Sequence, residues 1–250
     1  MRKRGSRAKL HSMQCVILAG GLATRMRPIT EAIPKSLLPV AGRPFLHHQL
    51  TLLKRQGLHD VRLCIGYLGE QIRACAGTGV DWGVNIVYAD EGKELRGTGG
   101  ALRKAMEEGL LQDYFLVTYG DSYLPVDFRK VWKAGFDAVS RGDEALMTVY
   151  RNAEKWDASN VEVRGDRAYY DKKKADPARK YEYIDYGLLG FPRTFIENRV
   201  AAEGRQDLAD SLHQASVVGK LAALEVKQRF YEVGSPQGLK DLEELIGSGS

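Results

Sequence analysis

Short apolar runs alternate with helical patterns in the first half of the chain. Gln14 to Ala19 is typical of a buried parallel strand, and Phe45 to Gln56 carries apolar side chains at helical spacing before a stop at Gly57. Val61 to Ile65 predicts a second strand. Strand, helix and strand in this order predict a βαβ unit.

The same alternation continues to the middle of the chain and predicts an α/β fold. We expect a Rossmann-like, doubly wound and mostly parallel sheet, in which ligands bind beyond the carboxyl ends of the strands. The loops after Ala19 and Tyr119 both follow such ends. The other elements predicted in this half are helices near Glu70 to Ala76 and Gly100 to Glu108, and strands at Val84 to Tyr88 and Tyr114 to Thr118.

From Glu144 onward, shorter strand-like runs predict a small antiparallel or mixed extension. No long linker separates the two patterns, so we expect one domain over residues 13–246, with parts at about 13–143 and 144–246. The strands predicted here are Ala145 to Tyr150, Val161 to Val163, Ala168 to Tyr170, Tyr183 to Phe191, Lys220 to Val226 and Arg229 to Val233, and the helices are Asp207 to Val217 and Pro236 to Ile246.

The distribution of charged residues along the chain bears on whether nucleic acid is an expected partner. The net charge of +5 on 250 residues comes from the first twelve, which contain five bases and no acid. Without them the 37 basic residues fall to 32, equal to the 32 acidic ones, so no nucleic-acid partner is expected. We interpret residues 1–12 as a disordered leader or an added sequence, with a polyanion contact as the alternative, and residues 247–250 as a linker remnant.

The spacing of the cysteines and the length of the apolar runs indicate the cellular compartment. Cys15, Cys64 and Cys75 are odd in number and widely spaced, which is typical of a reducing environment. The longest apolar runs, around Cys15 to Gly20 and Leu221 to Val226, are far shorter than the roughly 20 residues that cross a bilayer. We therefore expect a cytoplasmic protein with no membrane partner.

The first candidate motif follows the first strand. It reads Leu18-Ala-Gly-Gly-Leu-Ala-Thr-Arg-Met-Arg-Pro28 and is followed by Ile33-Pro-Lys-Ser-Leu-Leu-Pro-Val40. A glycine pair lets backbone N–H groups approach a triphosphate, while Thr24, Arg25 and Lys35 add donors and positive charge. The spacing excludes both GxGxxG and GxxxxGK[ST]. For the glycine pair alone, an ordinary strand-to-helix turn is the alternative.

The second candidate motif is Phe115-Leu-Val-Thr-Tyr-Gly-Asp-Ser122, an apolar strand that ends in Gly120-Asp121. A carboxylate at a strand end opposite a phosphate-binding loop is suited to Mg²⁺, which takes one or two carboxylates together with substrate phosphates. On its own, a Gly-Asp pair is also typical of a turn in which the aspartate bonds its own backbone.

The first motif, with the Pro-Lys segment that follows it, resembles the signature of the sugar-phosphate nucleotidyltransferases, which make nucleotide sugars. The family pattern usually has glycine where this chain has Ala23. The resemblance implies that Arg25, Lys35 and Asp121 are catalytic. The nucleotide contacts that it implies are Leu18, Ala19, Gly20, Gly21, Thr24, Arg25, Gly97, Thr98, Gly99, Gly100 and Gly120, with the Gly97–Gly100 turn pressing on the nucleoside.

Two further segments match the family. In Phe230-Tyr-Glu-Val-Gly-Ser-Pro-Gln237, Glu232 stands where the family has a metal-binding aspartate, so the resemblance implies Asp121 and Glu232 as Mg²⁺ ligands; an exposed strand Glu is the alternative. On the sugar side the implied contacts are Lys172 for the sugar phosphate, Asp185 for a hydroxyl, and Gly187. A solvated lysine turn and simple strand formers are the alternatives there.

The implied reaction joins an NTP and a sugar 1-phosphate to give a nucleotide sugar and pyrophosphate. The best match within the family is a guanylyltransferase that uses GTP and a heptose or mannose-type sugar 1-phosphate. A uridylyltransferase acting on muramate or hexose 1-phosphate and a non-catalytic sugar-nucleotide sensor are the alternatives. Neither the base nor the sugar follows from the sequence, and a homodimer is one expectation for the assembly.

Overall fold

The computed structural model describes residues 13–248, apart from the side chain of Arg25. The predicted leader, residues 1–12, and Gly249 and Ser250 of the predicted linker lie outside the described residues. The first half contains β1 (Gln14–Leu18), β2 (Pro39–Val40), β3 (Arg43–Pro44), α1 (Phe45–Arg55), β4 (Asp60–Ile65), α2 (Gly69–Ala76), β5 (Asn85–Asp90), α3 (Gly97–Glu107), β6 (Tyr114–Tyr119), β7 (Ser122–Tyr123) and α4 (Phe128–Ser140).

The second half continues the main sheet and ends in a helix. It contains β8 (Ala145–Arg151), β9 (Val161–Arg164), β10 (Arg167–Tyr170), β11 (Tyr183–Pro192), α5 (Arg193–Arg199), α6 (Leu208–Val217), β12 (Leu221–Val226), β13 (Tyr231–Glu232) and α7 (Pro236–Ser248). Short 3-10 helices lie at Thr24–Met26, Ile29–Glu31, Lys35–Leu37 and Val80–Trp82.

The main sheet has nine strands in the order β5-β4-β1-β6-β11-β8-β12-β10-β9. Strands β5, β4, β1 and β6 are mutually parallel, as the βα alternation predicts. Successive residues of β1 point to opposite faces, and both faces are buried: Val16 packs with Leu102 of α3, and Ile17 packs with Leu50 of α1. Apolar side chains on both faces are the reason why β1 is continuously hydrophobic.

The second half has the mixed strand pairing that was expected, but its strands continue the main sheet instead of forming a small extension of a doubly wound one. β11 runs antiparallel to both β6 and β8, β12 is parallel to β8, and β10 and β9 follow in antiparallel pairs. β9 also pairs with β11 through Tyr183 and Val161, so the last five strands close on one another. The fold is therefore α/β, with a parallel half and a closed, mixed half.

Two helices were not predicted from the sequence. The α4 helix starts at Asp127, whose carboxylate accepts hydrogen bonds from the backbone of Arg129 and Lys130. Its Gly135 reads as a helix breaker, but the hydroxyl of Tyr114 occupies the space where a side chain would lie. The α5 helix follows β11 without a turn, so no loop signal separates them. The last helix also runs two residues beyond the predicted Ile246.

No helix among residues 13–248 is both long and apolar enough to span a membrane.

Candidate active site

The parallel strands place their switch point between β1 and β6. From β1 the chain adds β4 and β5 on one side and then returns to add β6 on the other, so the loops after β1 and β6 diverge. In open α/β sheets this is where ligands bind. A cleft of about 550 Å³ opens there. Its walls are Leu18, Ala19, Gly20, Gly21, Leu22, Ala23, Thr24, Lys35, Ser36, Cys64, Glu91, Leu95, Gly97, Thr98, Ala101, Tyr119, Gly120, Asp121, Lys172, Arg205 and Asp207.

The two glycines after β1 lack a side chain for different reasons. A Cβ on Gly20 would lie 2.9 Å from Oε2 of Glu91 and 3.2 Å from the backbone nitrogen of Gly66, so packing excludes one. A Cβ on Gly21 would meet nothing within 4 Å. Packing therefore does not account for Gly21, whose backbone lies open at the wall of the cleft.

The loop after β6 is pressed against the loop after β1. The backbone nitrogen of Gly120 donates to Leu18 (2.9 Å), and a Cβ on Gly120 would lie 2.8 Å from that of Ala19. Only glycine permits this approach, and it carries Asp121 to the wall of the cleft. There the ammonium of Lys35 lies 2.9 Å from Oδ2 of Asp121. Oδ1 of Asp121 accepts a hydrogen bond from Ser122 (3.2 Å).

Glu232 reaches the same region from the other end of the chain. β13 pairs with β7, so Glu232 lies opposite Ser122, and the backbone of Val233 donates to the carbonyl of Asp121 (3.0 Å). A Cβ on Gly234 would lie 2.6 Å from Oε2 of Glu232, 3.2 Å from Nζ of Lys35 and 3.8 Å from Oδ2 of Asp121. The two carboxylates and the ammonium therefore surround one backbone position.

The Glu232 carboxylate is nevertheless engaged in its own turn. One oxygen accepts the backbone N–H of Gly234, and the other accepts the hydroxyl of Ser235 (2.5 Å), which in turn accepts the N–H of Gly238 at the start of α7. Glu232 does not line the cleft. Two neighbouring carboxylates are a donor set that suits a hard divalent cation, with phosphate and water oxygens completing its shell. No cluster of three or more metal-ligating side chains exists among the described residues.

The start of α3 differs from the nucleotide turn that was expected. Gly97 and Thr98 line the cleft, but Gly99 and Gly100 do not. The N–H groups of Gly99 and Gly100 donate to the carbonyl of Gln206 (2.9 and 3.3 Å), which docks the segment before α6 onto this helix. These two glycines therefore serve packing between the two halves in this structure.

Three of the cleft residues form a polar network. Nζ of Lys172 lies 3.0 Å from one oxygen of Asp207, and the hydroxyl of Thr98 donates to the other (3.0 Å). Burial of Asp207 would raise its pKa, but hydrogen bonds from the backbone of Ala209 and from Lys172 outweigh burial and lower it. Asp207 is thus an anion that links Lys172 to Thr98 at the start of α3.

Asp185 and Gly187 lie on β11 and do not line the cleft. The backbone N–H of Gly187 donates to Oδ1 of Asp185 (2.9 Å). Burial raises the pKa of Asp185 from 3.8 to about 6, although the Gly187 hydrogen bond and the charge of Lys172 oppose that rise. Gly187 has a φ of +91°, at the point where the register between β11 and β8 shifts.

Comparison with protein-family models identifies the family of the chain. The model described as nucleotidyl transferase matches residues 14–242. The chain belongs to this family. The resemblance inferred from the motifs is confirmed, and with it the prediction that the protein is an enzyme, a sugar-phosphate nucleotidyltransferase. Members of the family generally use a divalent metal ion.

Two curated relatives and one solved structure illustrate the likeness of this nucleotidyl transferase. It is 39% identical over 239 residues to the N-acetylmuramate alpha-1-phosphate uridylyltransferase of Neisseria meningitidis serogroup B, covering 94% of this chain and 99% of that protein. It is 36% identical over 121 residues to the D-glycero-alpha-D-manno-heptose 1-phosphate guanylyltransferase of Aneurinibacillus thermoaerophilus, covering 48% of this chain and only 51% of that protein.

The fold is shared with HddC from Yersinia pseudotuberculosis, solved as a complex with GMP-PN. The TM-score is 0.72 at 22% identity, over 94% of this chain and 99% of that one.

Several cleft residues of this nucleotidyl transferase were not predicted. Glu91 follows the carboxyl end of β5, as Asp121 follows β6, and the same strand-end pattern could have found it. Arg205 and Asp207 precede α6, far along the chain, and reach the cleft only because Gln206 docks on α3. Arg25 lies in the 3-10 helix Thr24–Met26, but its side chain is outside the described part, so its catalytic role stays a prediction.

Proposed function

We propose that the enzyme transfers a nucleoside monophosphate from an NTP to a sugar 1-phosphate. An oxygen of the sugar phosphate attacks the α-phosphorus, the bond from that phosphorus to the bridging oxygen breaks, and pyrophosphate leaves. The observation that carries the proposal is the convergence of the Gly20-Gly21 backbone, the Lys35 ammonium and the Asp121 carboxylate in one cleft at the sheet's switch point.

Both substrates are anions, so charge is the main barrier to their approach. The Lys35 ammonium stabilises the triphosphate and the departing pyrophosphate, and Arg25 is expected to do the same with its two parallel donors. Backbone N–H groups beside Gly21 bind phosphate oxygens at a position that is open to the cleft. Loss of one such preorganised donor costs about 3 to 4 kcal/mol in the transition state.

Mg²⁺ is the metal that we propose. Asp121 would hold it, and Glu232 would join only if its carboxylate left Gly234 and Ser235. When bound, the ion neutralises phosphate charge and orients the reacting groups. The protein itself contributes the position of Asp121, which the contact between Gly120 and Ala19 fixes.

The floor of the cleft supports GTP as the nucleotide. Leu18, Cys64, Leu95 and Ala101 supply apolar lining that suits a flat base, and Glu91 lines the same cleft. One oxygen of Glu91 accepts the N–H of Arg96 (2.7 Å), which leaves the oxygen beside Gly20 to accept from a ligand. Guanine offers two adjacent N–H donors on its pairing edge, whereas the single N–H of uracil is flanked by carbonyl oxygens that a carboxylate repels.

Lys172 and Arg205 are cations that the second half contributes to the cleft, and we assign the sugar phosphate to them. The acceptor that we propose is a heptose or mannose-type sugar 1-phosphate, in line with the heptose 1-phosphate guanylyltransferase among its relatives. The alternative is UTP with muramate 1-phosphate, which the full-length likeness to the N-acetylmuramate relative favours.

Pyrophosphate release separates these alternatives. The purified enzyme is incubated with each of the four common NTPs and a panel of manno-heptose, mannose, glucose and N-acetylmuramate 1-phosphates in the presence of Mg²⁺. Release with GTP and a manno-configured sugar supports the proposal. Release only with UTP and N-acetylmuramate 1-phosphate supports the alternative, and no release with any pair would favour a non-catalytic sensor.

A further inference from the structure

The Asp121 carboxylate is paired with a cation of the protein itself. Nζ of Lys35 lies 2.9 Å from Oδ2 of Asp121, and the two side chains are only 15% and 29% exposed. The other oxygen accepts the Ser122 hydroxyl. A metal ion could reach Oδ2 only if the ammonium moved, because two cations on one carboxylate oxygen repel each other.

The position of the ammonium is determined by its surroundings. Lys35 begins the 3-10 helix Lys35–Leu37, whose backbone is fixed by bonds from Leu37 to Pro34 (2.8 Å) and from Leu38 to Lys35 (3.1 Å). A Cβ on Gly234 would lie 3.2 Å from Nζ, so the absence of a side chain there leaves room for the ammonium. The flexible four-carbon stem can still turn the charge towards a neighbouring anion.

We propose that Lys35 is the resident cation of Asp121 in the nucleotide-free enzyme and moves to a phosphate when the NTP arrives. This inference rests on the proposed function. It predicts an order of binding: a divalent cation binds weakly to the free enzyme and tightly with the nucleotide. The triphosphate supplies the negative charge that draws the ammonium away from Asp121, which frees the carboxylate at the moment the metal enters.

The chain offers a matched control in the same cleft. Lys172 pairs with Asp207 at 3.0 Å, and its removal changes the charge of the cleft by the same amount. Asp207, however, shares its other oxygen with Thr98 rather than lying beside Gly234 and Glu232. A gain in metal affinity specific to the Lys35 variant therefore reports on Asp121, whereas an equal gain in both variants reports on net charge.

The test measures Mn²⁺ binding by electron spin resonance of the free ion, with and without an α,β-methylene NTP analogue. We expect Lys35→Met to tighten nucleotide-free Mn²⁺ binding by about tenfold and Lys172→Met to change it by less than about twofold. Adding Asp121→Asn to Lys35→Met should abolish the gain. Lys35→Gln is a second variant if Lys35→Met does not fold, as judged by thermal unfolding.

Unchanged Mn²⁺ affinity in Lys35→Met, or an equal gain in Lys172→Met, would overturn the proposal. If wild-type enzyme takes up Mn²⁺ tightly with the analogue in that case, the proposed function stands and only the exchange of cations is wrong. If no protein takes up Mn²⁺ even with the analogue, both the exchange and the metal site of the proposed function are contradicted.

Discussion

The two sides of the cleft are built in different ways. The parallel half contributes mainly backbone and short side chains from loops directly after β1 and β6, and its glycines bring Asp121 against the first loop. The closed half contributes the long side chains of Lys172, from the β10–β11 connection, and Arg205, from the α5–α6 connection. Positions that depend on the backbone are therefore concentrated on the parallel side, where Lys35 adds a mobile cation, whereas the closed side contributes charged side chains.

The largest effect should come from Asp121, on the backbone-built side. Asp121→Asn keeps the size of the side chain and its bond with Ser122 but removes the charge, so we expect turnover to fall by about two to three decades. Steady-state pyrophosphate release measures it, with circular dichroism as the check on folding. Near-normal turnover in a folded variant would show that Asp121 does not hold the metal. The parallel half would then not be the side of the cleft that binds it.

The contrast also explains what the sequence could predict. Gly20, Gly21, Gly120 and Asp121 were identified because a strand followed at once by glycines or a carboxylate is a local pattern, and all four line one cleft. Their catalytic and binding roles stay predictions. Arg205 left no comparable pattern, since it reaches the cleft only through the docking of Gln206 on α3.

The fold divides along the same line. Each parallel strand of the first half was predicted because its hydrophobic run lies between turn signals. Closure of the second half depends on the pairing of Tyr183 with Val161, which joins two strands that are not consecutive in the sequence. Glu232 shows the same limit: its place beside Asp121 was expected from the motif, but its hydrogen bonds within the Gly234–Ser235 turn require the three-dimensional structure.

The second prediction concerns Asp185, a half-buried carboxylate on β11 of the closed half. The folded pKa of Asp185, about 6, exceeds the unfolded value near 3.8, so ionisation destabilises the folded state as pH rises through this window. Asp185→Asn can still accept the N–H of Gly187. We expect the variant to be more stable than wild type by about 2 kcal/mol at pH 8 and equal to it below pH 4. Urea unfolding at several pH values measures the difference in stability between the variant and wild type. A difference that does not depend on pH would contradict the raised pKa of Asp185.

The third prediction tests whether a side chain of the parallel half reads the base. Glu91→Gln replaces a charged acceptor with a neutral amide that can also donate, so we expect kcat/KM for GTP to fall by about fivefold to tenfold relative to UTP. Competition between the two nucleotides in one reaction measures the ratio. An equal loss of kcat/KM for GTP and UTP would mean that Glu91 only supports the Gly20 backbone. In that case no side chain tested in this half would distinguish the bases.

The smallest effect should come from the backbone of the first loop itself. Ala23 has φ 48° and ψ 41°, the left-handed conformation that favours glycine, and the Thr30 hydroxyl holds its carbonyl at 2.8 Å. Ala23→Gly relieves this strain but also increases the entropy of the unfolded chain. We therefore expect the free energy of unfolding to rise by about 0.5 to 1 kcal/mol. Thermal unfolding should show a rise of about 1 to 4 °C. Ala41, at φ 47° and outside the cleft, provides the matched control. Ala41→Gly should raise the free energy of unfolding by a similar amount without changing KM for the nucleotide. A loss of stability in Ala23→Gly alone would mean that the loop after β1 does not adopt the left-handed turn on which its contribution to the cleft depends.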